Sequence, residues 1–300
     1  MNPSFTGLSA FPLTPLTRDA VDEGAFGGLV RRLAAAGVDS ITALGSTGSY
    51  AYLSPEERAG VARLAVANAG DVPVFVGVGA LRTSDVLRHI DAAERAGAAG
   101  ILLAPMTYQP LTAEDVFGLF ETVAGHTGLP VIVYDNPGTT RFTFTTDLYA
   151  DIAALPGIAS IKIPAVPAGP AEARARVAGI RAVITAHVTI GISGDASAAA
   201  GLAAGCDAWY SVIAGTLPGP ALTITRAVQE GKAADAAAES ARFGPLWEVF
   251  QEFGGSLRVV AAVAEQLGLV QRPSLPLPIR GLDTEQQARV ARVLKALDLG

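Results

Sequence analysis

Short apolar, β-branched runs alternate along this chain with longer Ala-rich segments that carry charges at helical spacing. Eight runs read as strands: GLSAFPL from Gly7, VDSITAL from Val38, VPVFVGV from Val72, GILLAP from Gly100, PVIVYD from Pro130, IASIKI from Ile158, HVTIGIS from His187 and DAWYSVI from Asp207. The segments between them open on plausible caps such as Ser54-Pro55-Glu56-Glu57, Thr83-Ser84-Asp85 and Thr112-Ala113-Glu114-Asp115. Several close on Ala36-Gly37, Ala96-Gly97 or Ala204-Gly205, where glycine supplies the left-handed residue that ends a helix.

Eight strand-helix units are what a closed parallel (β/α)8 TIM barrel needs. A doubly wound open sheet shows the same alternation, so the count of units is what favours closure. From about Thr225 onward the pattern is helical only, broken by Arg272-Pro273-Ser274-Leu275-Pro276-Leu277-Pro278. The expected organisation is an α/β barrel over residues 1–224 with a C-terminal helical extension over 225–300. Chemistry in such a barrel sits at the C-terminal ends of the strands.

Composition narrows the class. Half of the 300 residues are apolar, 17% are charged, and the net charge is −6 with acids and bases interspersed. This disfavours nucleic acid or an anionic membrane as partner. Cys206 is the one cysteine, so no internal disulfide and no thiolate metal site is expected. The stretch MNPSFTGLSAFPLTPLTRD does not read as a signal peptide, and no apolar window has the length of a membrane span. A cytoplasmic protein is the expectation.

Lys162 is the most informative residue. Period-two alternation turns Ala159, Ile161 and Ile163 toward the covering helices, and Ile158, Ser160 and Lys162 toward the barrel interior. A desolvated amine loses its proton more easily, and a neutral amine attacks carbonyl carbon. Spacing alone equally allows a lysine that snorkels outward or pairs with a carboxylate. Tyr134 ends the preceding run and also faces inward, on a strand about 4.8 Å away. Its phenol is either a proton shuttle beside the amine or a satisfied core tyrosine. Gly45-Ser46-Thr47-Gly48 and Ser193-Gly194-Asp195 are small-residue turns that hold an anion or a ligand, or simply turn the chain. Neither His89, His126 nor His187 has a metal-ligand neighbour at usable spacing, which disfavours a metal-dependent aldolase. Gly77-Val78-Gly79 lacks the third glycine of a dinucleotide fingerprint.

Taken in order, Thr14-Pro15, Gly45-Ser46-Thr47-Gly48, Tyr134-Asp135-Asn136-Pro137, Ile161-Lys162 and Ser193-Gly194-Asp195 resemble the dihydrodipicolinate synthase / N-acetylneuraminate lyase family over nearly the whole chain. The resemblance implies a barrel in which Lys162 forms a Schiff base with pyruvate or a related 2-keto acid. It implies Tyr134 as proton shuttle, Ser46 in the proton relay, and Ser46 and Thr47 on the substrate carboxylate. Gly48, Gly194 and Tyr210 are further substrate-binding candidates. It also implies no metal, no organic cofactor, and a homotetramer built as a dimer of dimers.

The departures concern the second partner. Ser49 replaces the family's loop glutamate, and Gly138-Thr139-Thr140 stands where the synthases carry an arginine, with Arg141 displaced by two positions. Thr107 falls where they place an interface tyrosine, with Tyr108 one place along, and Ile163-Pro164 follows the lysine. Tyr108, Thr139 and Arg141 therefore mark a possible second-substrate region. The expected function is a class I aldolase-type lyase that makes or breaks a C–C bond or dehydrates a keto-deoxy sugar acid. The alternatives are a true 4-hydroxy-tetrahydrodipicolinate synthase and a non-catalytic keto-acid binder.

Overall fold

Eight parallel strands hydrogen-bond in sequence order and close on themselves, because the first pairs with both the second and the eighth. They are β1 (Gly7–Ala10), β2 (Ser40–Ala43), β3 (Val74–Gly77), β4 (Gly100–Leu103), β5 (Val131–Tyr134), β6 (Ile158–Ile163), β7 (Thr189–Ile192) and β8 (Ala208–Ser211). This is the (β/α)8 barrel that the alternation predicted. The computed structural model describes residues 5–299. The first four residues of the N-terminal stretch, and Gly300, lie outside the described residues.

The intervening helices are α1 (Glu23–Ala36), α2 (Pro55–Asn68), α3 (Thr83–Ala96), α4 (Ala113–Ala124), α5 (Thr146–Ala153), α6 (Pro170–Arg181), α7 (Ala198–Ala203) and α8 (Pro218–Gln229). Capping boxes start α2 at Ser54, answered by Glu57, and α4 at Thr112, answered by Asp115. Gly37 and Gly97 end α1 and α3 in the left-handed conformation. At α3 the expected cap is corrected. Arg82 is the N-cap without a side-chain bond, and Thr83 is already helical. There the carbonyl of Arg82 accepts from the N–H groups of Asp85 and Val86, so no hydroxyl is needed to start the turn.

Helix α8 carries the chain across position 224, and four more helices follow: α9 (Ala233–Arg242), α10 (Gly244–Glu252), α11 (Ser256–Gln266) and α12 (Thr284–Ala296). Their apolar faces, including Leu246, Val259, Val263, Val290 and Leu294, join the same core that lies between the strands and the helical ring. Among the described residues no helix is long and apolar enough to cross a membrane.

A second, smaller core fills the barrel itself. Phe5, ahead of β1, stacks on Phe75 with ring centroids 4.8 Å apart and closes the N-terminal end. Ile132, Leu102, Ala208 and the Tyr210 ring lie among the buried residues of that cluster. Gly191 makes room for this ring, because a Cβ there would stand 2.1 Å from it. The one polar end of the ring, its hydroxyl, donates to Ser160 Oγ at 2.7 Å. What remains open is the C-terminal mouth.

One strand departs from simple alternation. The pairing of β5 with β6 slips between Val131↔Ile158 and Ile132↔Ser160, leaving Ala159 as an extra residue. Ile158 consequently packs in the outer core with Ile161 and Ile163, while Ala159 packs against the inner cluster. The inward orientation expected for Ile158 is thus reversed. Beyond the slip the register is regular, with Tyr134 opposite Lys162.

Candidate active site

The two residues with the clearest chemistry end neighbouring strands. Tyr134 is the last residue of β5 and Lys162 the next to last of β6. The chain has three lysines, and only this one is buried, at 4% exposure. Its Nζ lies 4.3 Å from the centroid of the Tyr134 ring and 5.5 Å from that of Phe11. Among the described residues no carboxylate forms an ion pair with it. Lys162 therefore neither snorkels outward nor holds a salt-bridge partner.

Burial lowers the Lys162 pKa from the ordinary lysine value, against the opposing pull of Tyr134, Asp195 and Asp135. Desolvation wins because a cation leaving water loses far more than distant anions return. Native Lys162 thus holds its proton less tightly than the unfolded chain does. Over the window from the lowered value up to 10.5 the unfolded state binds more protons, so the cost of burying Lys162 fades as pH rises. Replacing this amine by an apolar side chain of similar length removes that cost. Lys162→Met is expected to raise Tm at neutral pH by about 2–4 °C in differential scanning calorimetry, with less gain at pH 10.

Tyr134 is buried too, but its environment makes the phenol a stronger acid. Burial pushes its pKa up; the Lys162 charge and hydrogen bonds from Ser46, Asn136 and Thr139 outweigh it, leaving the phenol below its usual value. The phenol oxygen lies 3.1 Å from Ser46 Oγ and accepts from Asn136 Nδ2 at 2.8 Å. Asn136 stands at the cap of a one-turn helix, Pro137–Thr140, which fixes it beside the end of β5. Ser46, Tyr134 and Asn136 thus form a connected polar chain over the amine.

The turn after β2 supplies a second element. Leu44 takes a positive φ of 58°, and the backbone N–H groups of Ser46 and Thr47 then donate to no acceptor among the described residues. Both residues line the cavity at the barrel mouth. Two free amides beside a hydroxyl make a ready seat for a carboxylate. Opposite, the Gly194 backbone has φ +87° and lines the same cavity.

Asp195, directly after Gly194, ties β7 to β8. Its Oδ1 accepts from Trp209 Nε1 and Ser211 Oγ, both at 3.0 Å, and its Oδ2 accepts from the Ile213 N–H at 2.9 Å. Burial nevertheless raises its pKa above the ordinary carboxylate value. Asp195→Ala strands those donors in a dry site. The expected cost is about 2–4 kcal/mol, seen as a Tm roughly 5–15 °C lower.

The cavity measures about 720 Å³. It brings together Lys162, Tyr134, Ser46, Thr47, Gly194 and Thr139 of the sequence-derived set. Four others are not in its wall. Gly48 packs behind the turn, where an added Cβ would stand 3.0 Å from Leu44 N. Tyr210 lies deeper in the barrel with its hydroxyl bonded to Ser160. Arg141 ends the one-turn helix in a left-handed conformation and is exposed, and Tyr108 is 87% exposed. The sequence reading missed Phe11, one residue past β1, and the contributions of Phe250, Gly254–Arg258 and Ile279 from the C-terminal region. Of these, only the Gly254-Gly255 pair carried a sequence signal, that of a turn between two helices.

The histidines are elsewhere. His89 is buried on α3 with its pKa lowered to about 4 by desolvation, and His126 pairs with Asp91 at 2.8 Å.

A parallel barrel with a buried amine and a hydrogen-bonded phenol at the C-terminal ends of adjacent strands defines an (β/α)8 protein with an enzyme-type site. The chain belongs to the dihydrodipicolinate synthetase family, whose model matches residues 4–297. It is 30% identical over 282 residues to the 4-hydroxy-tetrahydrodipicolinate synthase of Nitrobacter hamburgensis, covering 91% of this chain and 92% of that protein. Among solved structures it superposes with a TM-score of 0.93 on a dihydrodipicolinate synthase from Agrobacterium tumefaciens, 44% identical over 98% of each chain. It also matches YagE of Escherichia coli K12, a prophage protein of the family solved with pyruvate, at TM-score 0.89 and 26% identity over 99% of each chain.

Proposed function

We propose that this protein is an imine-forming lyase that binds a 2-keto acid covalently through Lys162. The observation that carries the reading is the buried, unpaired amine held against the Tyr134 ring, with the phenol joined to Ser46 and Asn136. A 2-keto acid would place its carboxylate on the free amides of Ser46 and Thr47 and its ketone carbon at Nζ. Neutral Lys162 adds to that carbon to give a carbinolamine. Tyr134, linked to Ser46, protonates the departing hydroxyl, and water leaves as the imine forms. The iminium then accepts the electron pair released at the adjacent carbon. This serves C–C cleavage, its reverse, or loss of a hydroxyl one carbon further along. The pyruvate complex of YagE, a family member, supports a keto acid as ligand.

The departures on the far side of the cavity support a second substrate other than aspartate semialdehyde. Arg141 is exposed and outside the wall, and Thr139 lines it instead. We further read the protein as a cytoplasmic homotetramer. Exposed Tyr108, Leu81 and Tyr52 support a subunit contact, and light scattering on the purified chain measures the mass.

The function is tested with a panel in which pyruvate is paired with aldehydes, aspartate semialdehyde included, alongside keto-deoxy sugar acids assayed for cleavage and for dehydration. The expected result is turnover of at least one sugar-acid substrate and little or none of aspartate semialdehyde. Efficient use of aspartate semialdehyde would make the chain a synthase in the strict sense, and no turnover of any member would make it a keto-acid binder.

A further inference from the structure

Pyruvate alone fills little of a cavity of about 720 Å³, a size that holds much larger ligands. Part of its wall comes from the C-terminal region: Phe250 of α10, the Gly254-Gly255 turn, Ser256 to Arg258 at the start of α11, and Ile279. Among the described lining residues three side chains are charged, Lys162, Asp195 and Arg258. Lys162 is the reactive amine of the proposed function, and the Asp195 oxygens are occupied by Trp209, Ser211 and the backbone of Val212 and Ile213. Arg258 is the remaining charge.

Its guanidinium is held and yet open. Nε donates to the Arg280 carbonyl at 3.0 Å, which fixes the plane of the group, and the two terminal nitrogens have no partner among the described residues. Glu252, which lines a groove together with Arg258, is engaged by Arg289 at 3.7 Å. An anchored guanidinium with two free nitrogens presents the fork that grips a carboxylate with two parallel hydrogen bonds.

From this we infer that Arg258 reads a second carboxylate at the far end of the substrate, so that the preferred substrates are 2-keto diacids and not 2-keto monoacids. The inference rests on the imine reading of Lys162 and deepens it. In it the C-terminal extension acts as the specificity wall of the barrel: the near carboxylate sits at the β2 turn, the ketone at Lys162, and the distal carboxylate at the mouth. Arg258 is exposed, so water and salt weaken the contact, and the expected discrimination is about twofold to fivefold.

The test uses the full chain and matched pairs of equal length: 2-oxoglutarate with 2-oxopentanoate, 2-oxoadipate with 2-oxohexanoate, and 2-oxopimelate with 2-oxoheptanoate. Half-saturation is read from borohydride-trapped adduct at low salt, with pyruvate trapping as the check on the underlying imine. The expected result is an about twofold to fivefold lower half-saturation for the diacid of at least one pair, falling toward unity in Arg258→Gln and partly kept in Arg258→Lys. The ratio within a pair reports recognition even if a variant loses some overall reactivity, and circular dichroism checks its fold. Pyruvate trapping without any diacid preference, or a preference unchanged in Arg258→Gln, overturns the role of Arg258 alone. Absence of pyruvate trapping overturns the imine reading and this inference with it.

Discussion

Lys162→Ala loses turnover of every 2-keto acid by at least about a thousandfold, the scale on which enzymes respond to removal of a covalent nucleophile. Nothing nearby can substitute, because Lys232, just before α9, and Lys295, on α12, are exposed and neither lines the cavity. Lys162→Arg gives the same result, since a guanidinium stays protonated and does not add to a ketone. The pH dependence of the native enzyme follows from the same burial. Addition needs the neutral amine, so the rate of adduct formation rises with pH and levels off below 10.5, because desolvation has lowered the pKa. A stopped-flow series across pH 5 to 10 measures the inflection. An inflection at the ordinary lysine value would mean that the amine is hydrated in solution.

Tyr134→Phe keeps the ring against Lys162 and removes only the oxygen that Ser46 and Asn136 contact. A positioned proton donor contributes about 10²- to 10⁴-fold, so kcat should fall by that amount. Stability should move by less than about 1 kcal/mol. The phenol leaves two polar neighbours behind, but both line a cavity that water reaches. The contrast between a large loss in rate and a small change in Tm separates proton transfer from packing. Comparable losses in both would assign Tyr134 to the core.

Much of this was legible in the sequence, because the relevant signals are local. The alternation of β-branched runs with Ala-rich segments specifies the barrel, and Ser54 with Glu57 or Thr112 with Asp115 specifies helix starts through bonds three residues apart. Lys162 and Tyr134 were both assigned to the barrel interior, and they come out directly opposite one another. Long-range geometry was not legible. The slip at Ala159 depends on how β6 pairs with the start of β5, between Val131 and Ile132, which residues 158–163 do not encode by themselves. Tyr210 has the inward parity of a ligand contact but sits a layer too deep, beneath Ser160. Arg141 looked like a displaced substrate arginine, yet the one-turn helix after Asn136 ends on it in a left-handed turn and leaves it exposed. The Arg258 wall arises from a helix that folds back over the mouth from almost a hundred residues downstream of Lys162, and no spacing rule connects the two.

The most direct test of the central idea is chemical capture at one nitrogen. The purified protein is incubated with pyruvate, reduced with borohydride, digested and mapped by peptide mass spectrometry. The account predicts a single reductively alkylated lysine, at position 162, which disappears in Lys162→Ala. Unmodified Lys162 under saturating keto acid, or alkylation spread over Lys232 and Lys295, would contradict it.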